Sequence, residues 1–389
     1  MASKWPFDEK PLLVFWETTK ACLLACKHCR AEAIKEPLPG ELSTSEVEKL
    51  VDQITEFGHP YPILILTGGD PLMRKDLWHI IDYAKSKGLR IGIAPSITPL
   101  LDENVLKALA EHGVSSISIS LDSASPDIHD SIRGVKGTWR KTIEAIKTAI
   151  NIGLRVQVNT VVMRSNVYEL PYMVKLLREL GVETWEVFYL IPVGRAAKRE
   201  DLTPSEWEDV SHFLYEASKY GLMIRTTEGP MFRRVTLIRN MLEEKNIDPD
   251  KLLGVGRLYY ELKKKLKELL GEPKGKPRAH TVGTRDGKGI VFIAYNGDVY
   301  PSGFLPVSAG NIRRRSLVDI YRNSTLFRDL RKANFKGRCG RCEFRFICGG
   351  SRARAYAYYG DPLAEDPACP YKPGDYEKLL AGEQELKLN

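Results

Sequence analysis

The chain has 389 residues and a formal net charge of +8, with 43% hydrophobic and 28% charged residues. That balance is globular and excludes a disordered or collagen-like chain. No run approaches the roughly 18–20 apolar residues that span a bilayer, and the opening MASKWPFDEK lacks the apolar stretch of a secretory signal, so a soluble cytoplasmic protein without membrane association is expected.

In chain order, the first apolar run covers 12–16 and is followed by Cys22, Cys26 and Cys29 in a C-x3-C-x2-C pattern. Ser43 and Glu46 form a capping box that opens a helix with Val47, Leu50, Val51, Ile54 and Phe57 on one face. Apolar runs at 63–66, 90–94, 115–120, 155–162 and 184–190 then alternate with helices, and Gly58, Gly88, Gly113, Gly153, Gly181 and Gly221 stand at helix ends. Six strand–helix units in series imply a parallel sheet with right-handed crossovers. Six are too few for a closed eight-fold barrel. The expected fold is therefore α/β, a partial (β/α)6 barrel over 1–225, with its chemistry at the C-terminal ends of the strands. Residues 226–285 read as a charged, solvated helical bridge containing KKKLK. Residues 286–375 form a small second α+β domain, with 376–389 as a tail. In that domain Asn296-Gly297 between two β-rich runs signals a hairpin, a helix follows near 317–330, and Cys339, Cys342, Cys348 and Cys369 close it in a C-x2-C-x5-C-x20-C pattern.

The seven cysteines fall in these two groups and nowhere else. Buried structural cysteines would scatter, whereas tight clusters in a reducing compartment point to metal. Four thiolates suit either tetrahedral zinc or an iron–sulfur cluster. Three suit zinc less well, because His28 would be strained in reaching the ion held by its neighbours. They suit a four-iron cube with one iron left open to a small molecule. Charge is also uneven: residues 313–354 hold 13 Lys and Arg against 3 Asp and Glu. These arginines offset a negative cluster, form a solvated face, or meet an acidic substrate or partner. Nucleic acid is disfavoured for want of a recognition motif. The scarcity of glutamine, three in all, leans towards a thermophile.

In this order and register the motifs resemble those of the radical S-adenosylmethionine (SAM) superfamily with a C-terminal SPASM or twitch extension. ACLLACKHC at 21–29 matches the cluster motif, and TGGDP at 67–71 stands where the family carries a GGEP-type segment. Ser118 to Asp122, HDSIRG at 129–134, Asn159 and IPVGR at 191–195 follow in the family's order. The resemblance implies an enzyme with two [4Fe-4S] clusters. Cys22, Cys26 and Cys29 hold the one that binds SAM, and Cys339, Cys342, Cys348 and Cys369 hold a closed auxiliary one. It implies that Gly68 and Gly69 admit the methionyl group, that Asp70 meets its ammonium or caps a helix, and that Ser120 and Asn159 face SAM. Arg352 and Ser302 stand where further cysteines are usual, so the inner auxiliary cluster is expected to be absent. Asp70 replaces the usual Glu, and His28 a common aromatic. SRARAYAYYGDPLAEDPAC and PVGR look most like the branch of alternative haem-biosynthesis enzymes, which includes oxidative decarboxylation of porphyrin propionates. The arginine-rich stretch is then expected to meet propionates, and a ferredoxin or flavodoxin to supply electrons. A peptide- or cofactor-maturing enzyme of the same superfamily is the second reading, and a non-catalytic zinc or iron–sulfur module the third.

Overall fold

The computed structural model describes residues 5–279 and 283–379. Seven parallel strands run in sequence order: β1 (Leu13–Glu17), β2 (Ile63–Thr67), β3 (Ile91–Ile93), β4 (Ser116–Ser120), β5 (Arg155–Val162), β6 (Thr184–Tyr189) and β7 (Met223–Thr227). The first six match the runs read from periodicity. The seventh, MIRTT, carries only two strongly apolar residues, yet it pairs in register with β6 from Thr184↔Met223 to Phe188↔Thr227.

Side chains alternate across these strands with period two. Ile117, Ile119, Val158, Trp185 and Val187 are fully buried under the helices. Ser116, Ser118, Ser120, Gln157, Asn159, Thr184 and Glu186 take the opposite phase and line an internal cavity. The Ser-x-Ser-x-Ser pattern of β4 is thus an apolar strand on its outer face and a hydroxyl ladder on its inner one.

The second domain is fused to this sheet. β8 (Ile290–Ile293) pairs in parallel with β1, from Leu13↔Ile290 to Trp16↔Ile293. The hairpin follows, with β9 (Asp298–Tyr300) antiparallel to β8 and β10 (Gly310–Asn311) antiparallel to β9. The result is one ten-stranded sheet in the order β10-β9-β8-β1-β2-β3-β4-β5-β6-β7. The helix expected near 317–330 is two helices, Leu317–Asn323 and Thr325–Lys332. Ser324 separates them because its backbone is extended and its side chain accepts from Phe327 N, capping the second.

Between the domains, helix Arg257–Leu270 buries Leu258, Tyr259, Leu262 and Leu266. That face packs on helices Pro204–Ser218 and Leu170–Glu179, which anchors the helix, and Lys263 of KKKLK turns inward to pair with Asp250. Among the described residues no helix is long and apolar enough to cross a membrane.

Candidate active site

The main chain leaving β1 and β2 stays paired beyond the strands. Thr18 N donates to Thr67 O at 2.8 Å, Gly69 N to Thr19 O at 2.7 Å and Asp70 N to Ala21 O at 2.8 Å. This pairing seats the TGGDP loop against the segment that enters Cys22. It also fixes why both glycines are needed: a Cβ on Gly68 would lie 2.5 Å from Thr19 O, and one on Gly69 2.2 Å from Ala21 O.

Cys22, Cys26 and Cys29 line one end of a cavity of ≈ 720 Å³ that occupies the open barrel, with Gly68, Gly69, Ser120 and Asn159 on its wall. Ser120 and Asn159 are register partners on β4 and β5, and Gln157 Nε2 donates to Asn159 Oδ1 at 2.8 Å. Each sulfur receives a donor: Leu24 N to Cys22 Sγ at 3.4 Å, Ala33 N to Cys29 Sγ at 3.5 Å, and Arg133 Nη1 to Cys26 Sγ at 3.7 Å. Burial pushes the Cys22 thiol up, so ionisation there calls for a compensating cation.

Asp70 takes the capping place, one of the two roles expected of it. It is fully buried, and its carboxylate accepts from Leu72 N at 3.2 Å, Ser96 N at 3.3 Å and Thr98 Oγ1 at 3.1 Å. It caps the short 3-10 turn Pro71–Met73 and fixes Ser96, whose Oγ lies 3.3 Å from Cys22 Sγ. Burial pushes the Asp70 carboxyl up, and its oxygens are spent inside the loops rather than at the cavity wall.

Two arrangements around the cysteines were only partly foreshadowed by the motifs. Asp122, fully buried, accepts from Arg133 Nη2 at 2.7 Å and Val161 N at 3.0 Å and lies 3.0 Å from His28 Nε2. Despite its burial, Arg133 and then His28 hold its carboxyl well below the usual range. His28 is therefore committed to Asp122. Arg195 is a clamp on the cluster loop: its Nε donates to Cys26 O and its Nη1 to Ala33 O, both at 3.0 Å, and its N donates to Cys29 O at 3.0 Å. Gly194 makes that approach possible, with φ +60° and an imagined Cβ only 2.4 Å from Cys29 O.

Cys339, Cys342, Cys348 and Cys369 ring a second, smaller cavity. Among the described residues no three Cys, His, Asp or Glu side chains are grouped to hold a single metal ion; the four thiols surround a space instead. Asp366 N donates to Cys339 Sγ at 3.3 Å, Arg352 Nη2 to the same sulfur at 3.6 Å, and Gly350 N to Cys348 Sγ at 3.4 Å. Burial pushes the Cys348 thiol up to about 11 and raises Cys369 as well, while the Arg234 guanidinium opposes both. Sulfurs ringed by N–H donors, with cations near, fit an iron–sulfur cluster, whose potential such hydrogen bonds tune.

The basic stretch is not one face. Arg352 and Arg354 are each about 1% exposed; Arg352 spends its donors within the domain, on carbonyls of Gly350 and Ala364 among others, and Arg354 reaches Leu190 O in the barrel. Arg313 ion-pairs with Glu46, and Arg315 with Asp319, on the surface. The cavity arginines come from elsewhere, notably Arg225 on β7 and Arg233 on helix Met231–Glu244.

Comparison with known proteins agrees with this geometry. The Radical SAM superfamily model matches residues 16–177, and the SPASM iron–sulfur cluster-binding domain matches 285–343. The AdoMet-dependent heme synthase of Nitratidesulfovibrio vulgaris is 38% identical over 365 residues, covering 93% of this chain and 92% of that protein. The AdoMet-dependent heme synthase of Methanosarcina barkeri is 35% identical over 366 residues, covering 94% and 97%. The crystal structure of Streptococcus suis SuiB bound to precursor peptide SuiA shares the fold, with TM-score 0.67 at 15% identity over 93% of this chain and 76% of that one. The chain belongs to the radical SAM superfamily as an enzyme with a C-terminal SPASM domain and two [4Fe-4S] clusters, in the branch that includes the AdoMet-dependent heme synthases.

Proposed function

We propose that this enzyme oxidatively decarboxylates propionate side chains of an iron porphyrin, in a late step of haem formation in the cytoplasm. The observation that carries this reading is the cavity: ≈ 720 Å³, mainly apolar as a porphyrin face requires, with Arg225 and Arg233 among the cations on its wall. It lies within the size range of clefts that enclose drug-sized ligands, in a chain 38% identical to a heme synthase.

When bound, the first cluster and SAM would supply reductive radical chemistry for hydrogen abstraction, and the second cluster an electron-transfer centre. Cys22, Cys26 and Cys29 would hold the first cluster. Gly68 and Gly69 let the main chain approach the methionyl group, and Ser120 and Asn159 orient the nucleoside side. Asp70 positions Ser96 beside Cys22, and Asp122 with Arg133 fixes the orientation of His28 and the donor to Cys26. Arg225 meets a carboxylate of the substrate by charge-assisted hydrogen bonds, while Arg233, whose guanidinium donates to Thr284 O and Ile347 O, adds positive charge to the same wall. Cys339, Cys342, Cys348 and Cys369 hold the second cluster, and an acidic ferredoxin or flavodoxin delivers electrons.

The reading is tested by anaerobic incubation of the reconstituted protein with SAM, a reductant and an iron-porphyrin tetracarboxylate. Mass spectrometry is expected to find loss of carboxyl groups from the porphyrin. An unchanged porphyrin, together with a modified peptide from cell extract, would replace this reading with a maturase.

A further inference from the structure

A pair of buried carboxyl groups on the cavity wall has no part in the roles above. Glu228 follows β7 and Asp286 precedes β8; each is 8% exposed, and both line the cavity. Glu228 is held at φ 58°, a left-handed conformation uncommon for a residue with a Cβ. The two side chains are within hydrogen-bonding reach of each other, and Ser302 Oγ lies 3.5 Å from Glu228 Oε1. Asp286 Oδ2 has no hydrogen-bond partner among the described residues. Two ionised carboxylates in contact in a buried site are strongly disfavoured, and one of them takes a proton. A proton held on the pair lets one carboxyl donate to the other.

The surroundings agree. Burial and then Asp286 push the Glu228 carboxyl well above the usual range, and burial pushes Asp286 up. The charges facing the pair are Arg352 and Arg354 from helix Arg352–Tyr359, Arg233 from helix Met231–Glu244, and Arg285 from the pair's own segment.

Hydrogen bonds run from this pair to the second cysteine group. Ser351 Oγ donates to Glu228 Oε2 at 2.5 Å, and Ser351 N donates to Asp366 Oδ2 at 2.7 Å. Asp366 N then donates to Cys339 Sγ at 3.3 Å. Arg352, whose charge acts on Asp286, donates to the same sulfur at 3.6 Å. The pair therefore has the cavity on one side and a cluster ligand on the other.

We propose that Glu228 and Asp286 are a proton store tied to the auxiliary cluster: the pair takes up one proton from cavity water when that cluster gains one electron. The inference rests on the second cysteine group holding a cluster. One electron arrives from a low-potential donor, or in turnover from the substrate radical, and reduces the cluster. One proton leaves water and forms one O–H bond on the pair, which goes from sharing a single proton to holding two. The cause is electrostatic, because negative charge added in a low-dielectric interior raises the proton affinity of nearby carboxylates. Glu228 and Asp286 are thus positioning residues for an electron rather than groups that touch the reacting carbon.

The test is an EPR-monitored redox titration of the auxiliary cluster in the reconstituted holoenzyme, with dithionite as reductant, across about pH 6–9. One proton per electron moves the midpoint by about 59 mV per tenfold change in proton concentration. The wild type is expected to show that slope, and Glu228→Gln and Asp286→Asn are each expected to flatten it at unchanged iron content. A pH-independent midpoint in the loaded wild type overturns the coupling, as does a slope that survives in both variants. Absence of any auxiliary signal in protein whose first cluster is loaded overturns the cluster reading of Cys339–Cys369, and the coupling with it.

Discussion

Arg195 links the IPVGR segment to the cysteine loop through two side-chain bonds to Cys26 O and Ala33 O. Hydrogen bonds from a charged group are worth about 1.5–3 kcal/mol. Arg195→Ala is therefore expected to lower iron occupancy at Cys22, Cys26 and Cys29 while sparing the second group, as measured by iron content and Mössbauer spectra of the two clusters. His129 is fully buried, and burial, then Arg133, lower its imidazole to about 4. Its folded value lies below the ordinary 6.5, so the unfolded chain binds the proton first. Its contribution is present above about 6.5 and is lost as pH falls towards about 4, by about 3 kcal/mol at most. His129→Gln is expected to flatten that part of a denaturant-derived stability profile. At this scale the cysteines were legible because ligand spacing is local. Asp70 had two roles open to it, ammonium partner or cap; its place as a cap depends on Ser96 and Thr98, brought in from the next strand's loop. Glu228 and Asp286 carried no signal at all: a lone Glu after a strand and a lone Asp before one are ordinary until the sheet brings them together.

At the scale of elements, periodicity located the strands whose outer faces are apolar. It passed over β7, because Arg225 and the two threonines after it break the apolar pattern while still facing the cavity or its edge. It also could not foresee β8 joining β1, since a parallel pairing across nearly the whole chain leaves no local trace. That pairing has a mechanical consequence. Arg30, directly after Cys29, stacks over Phe292 at 4.5 Å and donates to Gly303 O at 3.3 Å. The loop of the first cluster is thus braced by the second domain. A fragment ending at residue 285 would bare the edge of β1, a template for aggregation, and lose that brace. It is expected to elute as aggregate and to bind no iron at the first cysteines; a monomeric fragment with a loaded cluster would contradict the brace.

At the scale of the molecule, the net +8 does not describe a basic face. The arginines that produce the local excess are divided between a cluster ligand, internal carbonyls and surface ion pairs. Sequence could locate the charge but not its direction, because the direction is set by tertiary burial. What the whole fold supplies is a large cavity lined both by the first cysteine group and by residues of the auxiliary domain. In the proposed reaction a propionate-bearing porphyrin occupies that cavity and gives up a hydrogen there. The most direct measurement uses an iron-porphyrin tetracarboxylate deuterated on its propionate methylenes, incubated anaerobically with the reconstituted enzyme, SAM and dithionite. Deuterium is expected in the 5′-deoxyadenosine formed, together with porphyrin that has lost carboxyl groups. Unlabelled 5′-deoxyadenosine beside intact porphyrin would contradict that reaction.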